Sequence, residues 1–241
     1  MTDRHGLRAL LFDLDGTIAD TEELHRQAFN DAFEAHHLPH RWSPGLYRRL
    51  LRIPGGRERL SHFLDGAEAT LSPASRDDLA GRLHAFKTER YRAHIAAGDL
   101  APRPGVVRLM AEARAAGLCV GVVTTSHRHA TKAVLKAVVP EVIFSTLITG
   151  ERVSAKKPHP EAYLKALDQL EMTADQAVAV EDSEPGLAAA RAAGLRCVIT
   201  LNRWTQGGDF AAAGLVADDL DHGPDGQPIT LATLATPQRW M

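Results

Sequence analysis

Two aspartates stand two residues apart in Phe12-Asp13-Leu14-Asp15-Gly16-Thr17, directly after the apolar run Ala9-Leu10-Leu11-Phe12. Carboxylates gathered at one place repel each other and need a counter-charge. Their hard oxygens suit Mg²⁺, which makes it the natural candidate. An isolated Asp-X-Asp is equally well an acidic turn that closes a strand. Three further stretches bear on the choice. Thr124-Thr125-Ser126 offers hydroxyls and backbone N–H groups that can hold an anion. Lys156-Lys157-Pro158 places a cation before a ring that fixes the chain, although a lysine pair by itself is usually a solvated face. Glu181-Asp182-Ser183 is a second acidic pair at a helix start, where acids are favourable for electrostatic reasons alone. Each stretch comes at or soon after the end of a strand-like run. In chain order they read acid pair, hydroxyl, lysine, acid pair, and together they point to one site.

The elements that must position these residues follow from the apolar pattern. Ala9–Phe12, 118–123, Val142-Ile143-Phe144 with Leu147-Ile148, 177–180 and 197–199 are short continuous apolar runs, as in parallel strands covered on both faces. Helices are expected between them, over 106–116, 128–137, Glu161–Leu170 and 185–193. Gly117 and Gly194 stand where left-handed caps belong, and Ser183 precedes Glu184-Pro185 as a helix start. Repeated strand–helix–strand units imply an α/β fold with an open, doubly wound parallel sheet, whose ligands bind at the strands' carboxyl ends. About ninety residues after the first strand break the rhythm. They carry helical patterns over 21–37, 57–64 and 79–96, punctuated by Pro39, Pro44, Pro54-Gly55-Gly56 and Ser72-Pro73. The expected division is a core of 1–19 and 102–241 with a helical domain of 20–101 inserted on two hinges. Residues 210–220 are expected to form one more helix or strand, and 221–241 to be peripheral.

Composition limits the partners. The chain has 241 residues, 44% hydrophobic, with 28 Lys+Arg against 30 Asp+Glu and a formal charge of −2. That balance lacks the basic excess of a general nucleic-acid binder. No uncharged apolar run approaches the ~18 residues of a membrane span, and the N-terminal stretch has no long apolar segment of a signal peptide. Cys119 and Cys197 are the two cysteines, each in a strand-like run, and are expected to be buried free thiols of a cytoplasmic protein. His36, His37 and His40 lack nearby carboxylates or thiols and are not expected to hold a metal. His127 and His129 are expected to be exposed, and Trp42 and Tyr47 to belong to the core of the insert.

The four stretches, in this order over roughly 8–203, resemble the haloacid dehalogenase superfamily and its phosphotransferase branch. The helical insert after the first strand is similar to the cap of the subgroup that contains β-phosphoglucomutase and phosphoglycolate phosphatase. Thr21-Glu22-Glu23-Leu24-His25-Arg26-Gln27-Ala28-Phe29-Asn30, Gly55-Gly56-Arg57-Glu58-Arg59 and Lys87-Thr88-Glu89-Arg90-Tyr91 look like the CbbY-type members. The resemblance implies a Rossmann-like core, a mobile helical cap and Mg²⁺-dependent hydrolysis of a small phosphorylated sugar. The implied substrate is xylulose-1,5-bisphosphate, an inhibitor of Rubisco in the Calvin cycle. It implies Asp13 as nucleophile, Asp15 as general acid/base, and Thr124 and Lys157 as ligands of the transferring phosphoryl group. Asp13, the Asp15 carbonyl and Asp182 would hold Mg²⁺, with Glu181 on the metal's waters. Thr125 and Ser126 would lie beside the core phosphate. In the cap, Glu22 and His25 share a helix face and would meet sugar hydroxyls. Arg57, reached through Gly56, would clasp the second phosphate with support from Lys87. The CbbY-type pattern has lysine where Arg57 stands; the charge is kept. Alternatives are β-phosphoglucomutase, phosphoglycolate phosphatase and a non-enzymatic sugar-phosphate sensor, and a monomer is expected.

Overall fold

The computed structural model describes residues 6–53 and 55–236. In chain order the elements are β1 (Ala9–Phe12), α1 (Thr21–Ala35), α2 (Pro44–Leu50), α3 (Gly56–Ala67), α4 (Pro73–Ala97), α5 (Val106–Ala115), β2 (Cys119–Val123), α6 (Arg128–Val138), β3 (Thr146–Ile148), α7 (Glu161–Leu170), β4 (Ala177–Glu181), α8 (Glu184–Ala192), β5 (Arg196–Thr200), β6 (Leu215–Ala217) and α9 (Leu231–Ala235). The chain divides into two compact units. One runs to Asp20 and resumes at Leu100; the other is Thr21–Asp99.

The first unit is built on a six-stranded sheet in the order β3-β2-β1-β4-β5-β6, every pair parallel. The α/β reading therefore holds. β1 lies between β2 and β4, with Phe12 beside Val122 on one side and Val180 on the other. The connections run one way from β1 to β2 and β3, and the other way from β4 onward. Such a reversal of connections puts a crevice at the carboxyl ends of β1 and β4. β1 and β4 are buried at every residue, which is why they read as unbroken apolar runs rather than alternating ones. One face of the sheet carries small residues, Ala9, Ala177 and Ala179, and these let Ala162, Ala166, Ala189 and Ala190 of α7 and α8 approach closely.

The Thr21–Asp99 unit is all helical, with α4 packed along α1 and α3. Phe29, Phe33, Trp42, Tyr47 and Phe63 form its aromatic core, with Phe29 and Trp42 ring centres 4.6 Å apart. Trp42 and Tyr47 are fully buried, as expected of core residues.

Several expectations are corrected. Ser43-Pro44 and Ser72-Pro73 are helix starts, not breaks: each serine is an N-cap whose hydroxyl accepts from the residue three along, and each proline takes the first helical position. Hence α2 exists, and α4 begins six residues before Leu79. Val142-Ile143-Phe144 is not strand. A turn from Val139 to Val142 carries the segment outward and leaves Ile143 77% exposed, so β3 begins only at Thr146. The open choice for 210–220 resolves as strand β6. The stretch after 220 is not peripheral up to Thr236, because Ile229 and Leu234 are buried and Arg108 binds the carbonyls of Leu220 and Ile229. Asp221 pairs with that same arginine at 2.9 Å. Both cysteines are free, but Cys119 at the start of β2 is only half-buried.

Candidate active site

β1 delivers Asp13 into the crevice. The Asp13 N–H still donates to the Val180 carbonyl at 2.9 Å, so the sheet ladder orients the residue that follows the strand. The chain then turns sharply, with the N–H groups of Thr17, Ile18 and Ala19 all aimed at the Leu14 carbonyl. Gly16 takes φ +86°, and a Cβ there would lie 2.2 Å from Asp182 Oδ2. Only glycine permits both the backbone and the approach. β4 delivers Glu181 and Asp182, and Ser183 opens α8 by accepting from the Gly186 N–H.

Lys157 is the centre of this arrangement. Its ammonium donates to Asp13 Oδ1 at 2.6 Å, to Glu181 Oε1 at 2.6 Å and to the Val123 carbonyl at 2.8 Å. Burial works against its charge, but Asp13 and Glu181 outweigh this and raise its pKa. Tyr163 donates to Glu181 Oε1 at 2.6 Å. Asp182 accepts from Asn202 Nδ2 at 2.7 Å and from the Thr17 hydroxyl at 3.5 Å. Thr124 is buried and its Oγ1 accepts the Ser126 N–H at 3.1 Å. The Ser126 hydroxyl donates to Asp15 Oδ2 at 2.5 Å. The 124–126 loop is held from below by Gly150, whose N–H donates to the Ser126 carbonyl and where a Cβ would lie 2.3 Å from the Thr125 carbonyl. Glu151 accepts the Arg128 N–H at the start of α6, which holds its carboxyl down at about 2, and also contacts exposed His127.

The electrostatics are lopsided. Asp13, Glu181 and Asp182 each offer a carboxylate oxygen, all within 4.8 Å of one another. Burial pushes Asp13 well above the usual carboxylate range; Lys157 opposes the shift, and Glu181, Asp182 and Asp15 add to it. Burial and Glu181 push Asp182 up to about 7, against Asn202, Lys157 and Arg103. Glu181 Oε2 is buried with no hydrogen-bond partner. An all-oxygen donor set, excess negative charge and an orphaned carboxylate oxygen are what a hard divalent cation satisfies, so the residues fit Mg²⁺. Sequence reasoning singled out Asp13, Asp15, Thr124, Lys157, Glu181 and Asp182, and the fold brings them to one end of the sheet. It missed Tyr163, in the first turn of α7, Asn202, two residues past β5, and Arg103, three residues before α5; none has a local motif of its own.

The helical unit holds its expected residues differently. Glu22 accepts from the Tyr47 hydroxyl at 2.7 Å. His25 stacks on Tyr91, with ring centres 3.9 Å apart. Lys87 is buried, and its ammonium lies 2.8 Å from His25 Nδ1, 4.9 Å from the Phe29 ring centre and 5.2 Å from that of Tyr91. An ammonium only donates, so Nδ1 accepts and the His25 proton sits on Nε2. Burial, then Lys87, Arg59 and His84, hold His25 well below its ordinary pKa. Gly56 begins α3, 3.0 Å from His84 Nε2 if given a Cβ. Arg57 is half-exposed and donates to both Asp77 oxygens, at 2.9 and 3.0 Å. Arg57 and Lys87 thus take different hydrogen-bond partners, while burial lowers the pKa of His84 and both lie near enough to add to that shift. Arg59, which sequence reasoning passed over, is the arginine that contacts the polar group here, 3.4 Å from the Tyr47 hydroxyl. Its only signal was its place two residues past Arg57. His40 pairs with Glu68 at 2.7 Å, with no metal cluster around it among the described residues.

Comparison with known proteins adds to this geometry. Haloacid dehalogenase-like hydrolases match residues 10–200. The chain is 43% identical to the protein CbbY of Rhodobacter capsulatus over 217 residues, 89% of this chain and 94% of that one. Among solved structures, CbbY of Rhodobacter sphaeroides in complex with phosphate superposes with a TM-score of 0.76 at 38% identity, covering 97% of this chain and 99% of the other. A mutant of the same protein in complex with xylulose-(1,5)bisphosphate gives 0.75 at 36% identity, with the same coverage.

Proposed function

The chain belongs to the haloacid dehalogenase-like hydrolases and is a phosphoric monoester hydrolase, and from that premise we propose that it hydrolyses xylulose-1,5-bisphosphate through an aspartyl phosphate on Asp13, with Mg²⁺ as cofactor. The observation that carries the chemistry is the Asp13 carboxylate, which is fixed by the ladder and held 2.6 Å from the Lys157 ammonium. The substrate is carried by the likeness to the protein solved with that bisphosphate.

Asp13 attacks phosphorus through one carboxylate oxygen, and the bond from phosphorus to the sugar oxygen breaks. Burial opposes the ionised form the attack needs, and Lys157 favours it. The leaving sugar oxygen takes a proton from Asp15, which the Ser126 hydroxyl steadies at Oδ2. Asp15, now a carboxylate, takes a proton from water. That water's oxygen attacks the acyl phosphate, releasing inorganic phosphate and restoring Asp13. Lys157 and the Thr124 hydroxyl hold the phosphoryl oxygens, since such transfer needs positioning and neutralisation more than covalent help. Asp13, the Asp15 carbonyl and Asp182 would hold Mg²⁺, which would supply charge neutralisation for the carboxylates and the transferring group. In the helical unit, Glu22 and His25 offer groups for sugar hydroxyls, and Arg57 a guanidinium for a second phosphate.

The test is phosphate release from a panel of phosphorylated sugars with Mg²⁺ and with EDTA. The expected outcome is the highest kcat/KM for xylulose-1,5-bisphosphate, lost on chelation. Isomerisation of β-glucose 1-phosphate primed with glucose 1,6-bisphosphate, without net phosphate release, would replace the reading with a mutase. Preference for phosphoglycolate would replace the substrate.

A further inference from the structure

Arg103 lies on the return linker of the first unit, three residues past Leu100, and its own N–H donates to the Ile18 carbonyl at 2.8 Å. Its side chain is unusual for the acceptors it takes. Nη1 donates to the Gly16 carbonyl at 2.6 Å, the Thr200 carbonyl at 3.0 Å and Thr200 Oγ1 at 2.9 Å. Nη2 donates to the carbonyls of Leu201 at 2.5 Å and Asp218 at 3.0 Å. All are neutral, and they come from the turn after β1, the end of β5 and the stretch after β6. Burial lowers the pKa of this guanidinium, and Asp182, Asp20 and Asp219 only partly offset the cost. A half-buried arginine that takes carbonyls from separate segments contributes a fixed fork, which a lysine cannot reproduce.

That fork ends on the acidic corner. The Gly16 carbonyl is shared by Arg103 and by Asn202 Nδ2, at 3.3 Å, and the same amide nitrogen donates to Asp182 Oδ2 at 2.7 Å. Asn202 is itself oriented, because its Oδ1 accepts the N–H groups of Trp204 at 2.8 Å and Thr205 at 3.1 Å. Thr200, gripped at both oxygens, reaches the Glu181 carbonyl through its hydroxyl at 3.4 Å. Gly16 and Asp182 are so close that no Cβ fits between them. A shift of the Gly16 turn is therefore transmitted to the Asp182 carboxylate at once.

We propose that Arg103, acting through Gly16 and Asn202, is a positioning residue that sets the Asp182 carboxylate for a divalent cation. This rests on the reading of Asp13 and Asp182 as Mg²⁺ ligands. Charge and geometry act with opposite signs here. The guanidinium repels a cation near Asp182, so removal of the charge alone tightens Mg²⁺. Loss of the fork lets Asp182 wander and weakens it.

The experiment is calorimetric titration of Mg²⁺ into substrate-free protein, for wild type, Arg103→Lys, Arg103→Met and Asn202→Ala. The dissociation constant is expected to rise about 10- to 100-fold in all three variants, the usual consequence of removing a support behind a metal ligand. Arg103→Lys keeps the charge and loses the fork, so its failure to weaken Mg²⁺ overturns the proposal, as does tighter binding by Arg103→Met. A lower Tm with unchanged Mg²⁺ affinity gives Arg103 a structural role only and also overturns it. If Arg103→Met does not fold, Arg103→Lys and Asn202→Ala decide. Wild type that binds no Mg²⁺ overturns the metal reading itself, a result distinct from wild type that binds and an Arg103→Lys variant that binds equally well.

Discussion

The two units concentrate charge in opposite ways. In the first, Asp13, Glu181 and Asp182 crowd around a single ammonium, and the surplus is negative. In the second, Lys87 lies beneath two aromatic rings against a neutral histidine, and Arg59 lies 5.4 Å from the ring centre of Tyr47. The first arrangement is incomplete by itself: burial and like charges raise Asp13 and Asp182, and one carboxylate oxygen has no partner. The second is closed by its own rings, since a π face accepts a cation at moderate cost. Backbone ladders hold the acids against their repulsion, whereas the cations of the helical unit hold through side-chain packing. The acidic cluster thus sits at the ends of central parallel strands, where the ladder fixes the backbone.

The strongest break of this contrast is at the nucleophile. Asp13→Asn should lower kcat at least about 100-fold with the fold intact by circular dichroism, because a neutral amide cannot form the acyl phosphate. Retention of more than a hundredth of wild-type turnover would remove Asp13 from that role.

Gly16→Ala tests whether the acidic corner depends on backbone approach. A Cβ 2.2 Å from Asp182 Oδ2 at φ +86° is expected to cost about 1–3 kcal/mol in urea unfolding. A fully stable variant would mean the turn can yield.

A smaller effect separates the units by pH. His25 is held below its ordinary pKa, first by burial and then by Lys87. The unfolded chain, with His at about 6.5, then binds a proton that the folded one refuses, so stability falls as pH drops below about 6.5. Lys87→Met should raise the His25 pKa, read by NMR titration, and flatten that slope. An unchanged titration would show that Lys87 does not set the histidine's state.

The smallest stability effect belongs to Arg57. Its pair with Asp77 is half-exposed, so Arg57→Ala should change unfolding free energy by less than about 0.5 kcal/mol. If Arg57 reads a second phosphate, the same change lowers kcat/KM for xylulose-1,5-bisphosphate about tenfold or more and leaves p-nitrophenyl phosphate unaffected. Equal losses on both would make the arginine structural.

Local chemistry in the sequence was sufficient for the central strands and for the acids that end them. Apolar runs buried on both faces, such as Ala9–Phe12 and 177–180, read as parallel strands and the acids follow at once, whereas the equally apolar Val142-Ile143-Phe144 is not strand. At 43–44 and 72–73 the signal was local, a capping serine before proline, but proline taken as punctuation hid the helix starts. The tertiary structure alone decided what lies behind the acids. Tyr163 reaches Glu181 from α7, Asn202 reaches Asp182 from beyond β5, and Arg103 gathers carbonyls up to 115 residues away in the chain. None of these has a periodic or spaced signature, because a hydrogen bond between distant segments depends on where the sheet order puts them. The same holds for Arg57 and Lys87: their charges are plain in sequence, but only packing turns one to Asp77 at the surface and seats the other against His25, beneath aromatic rings.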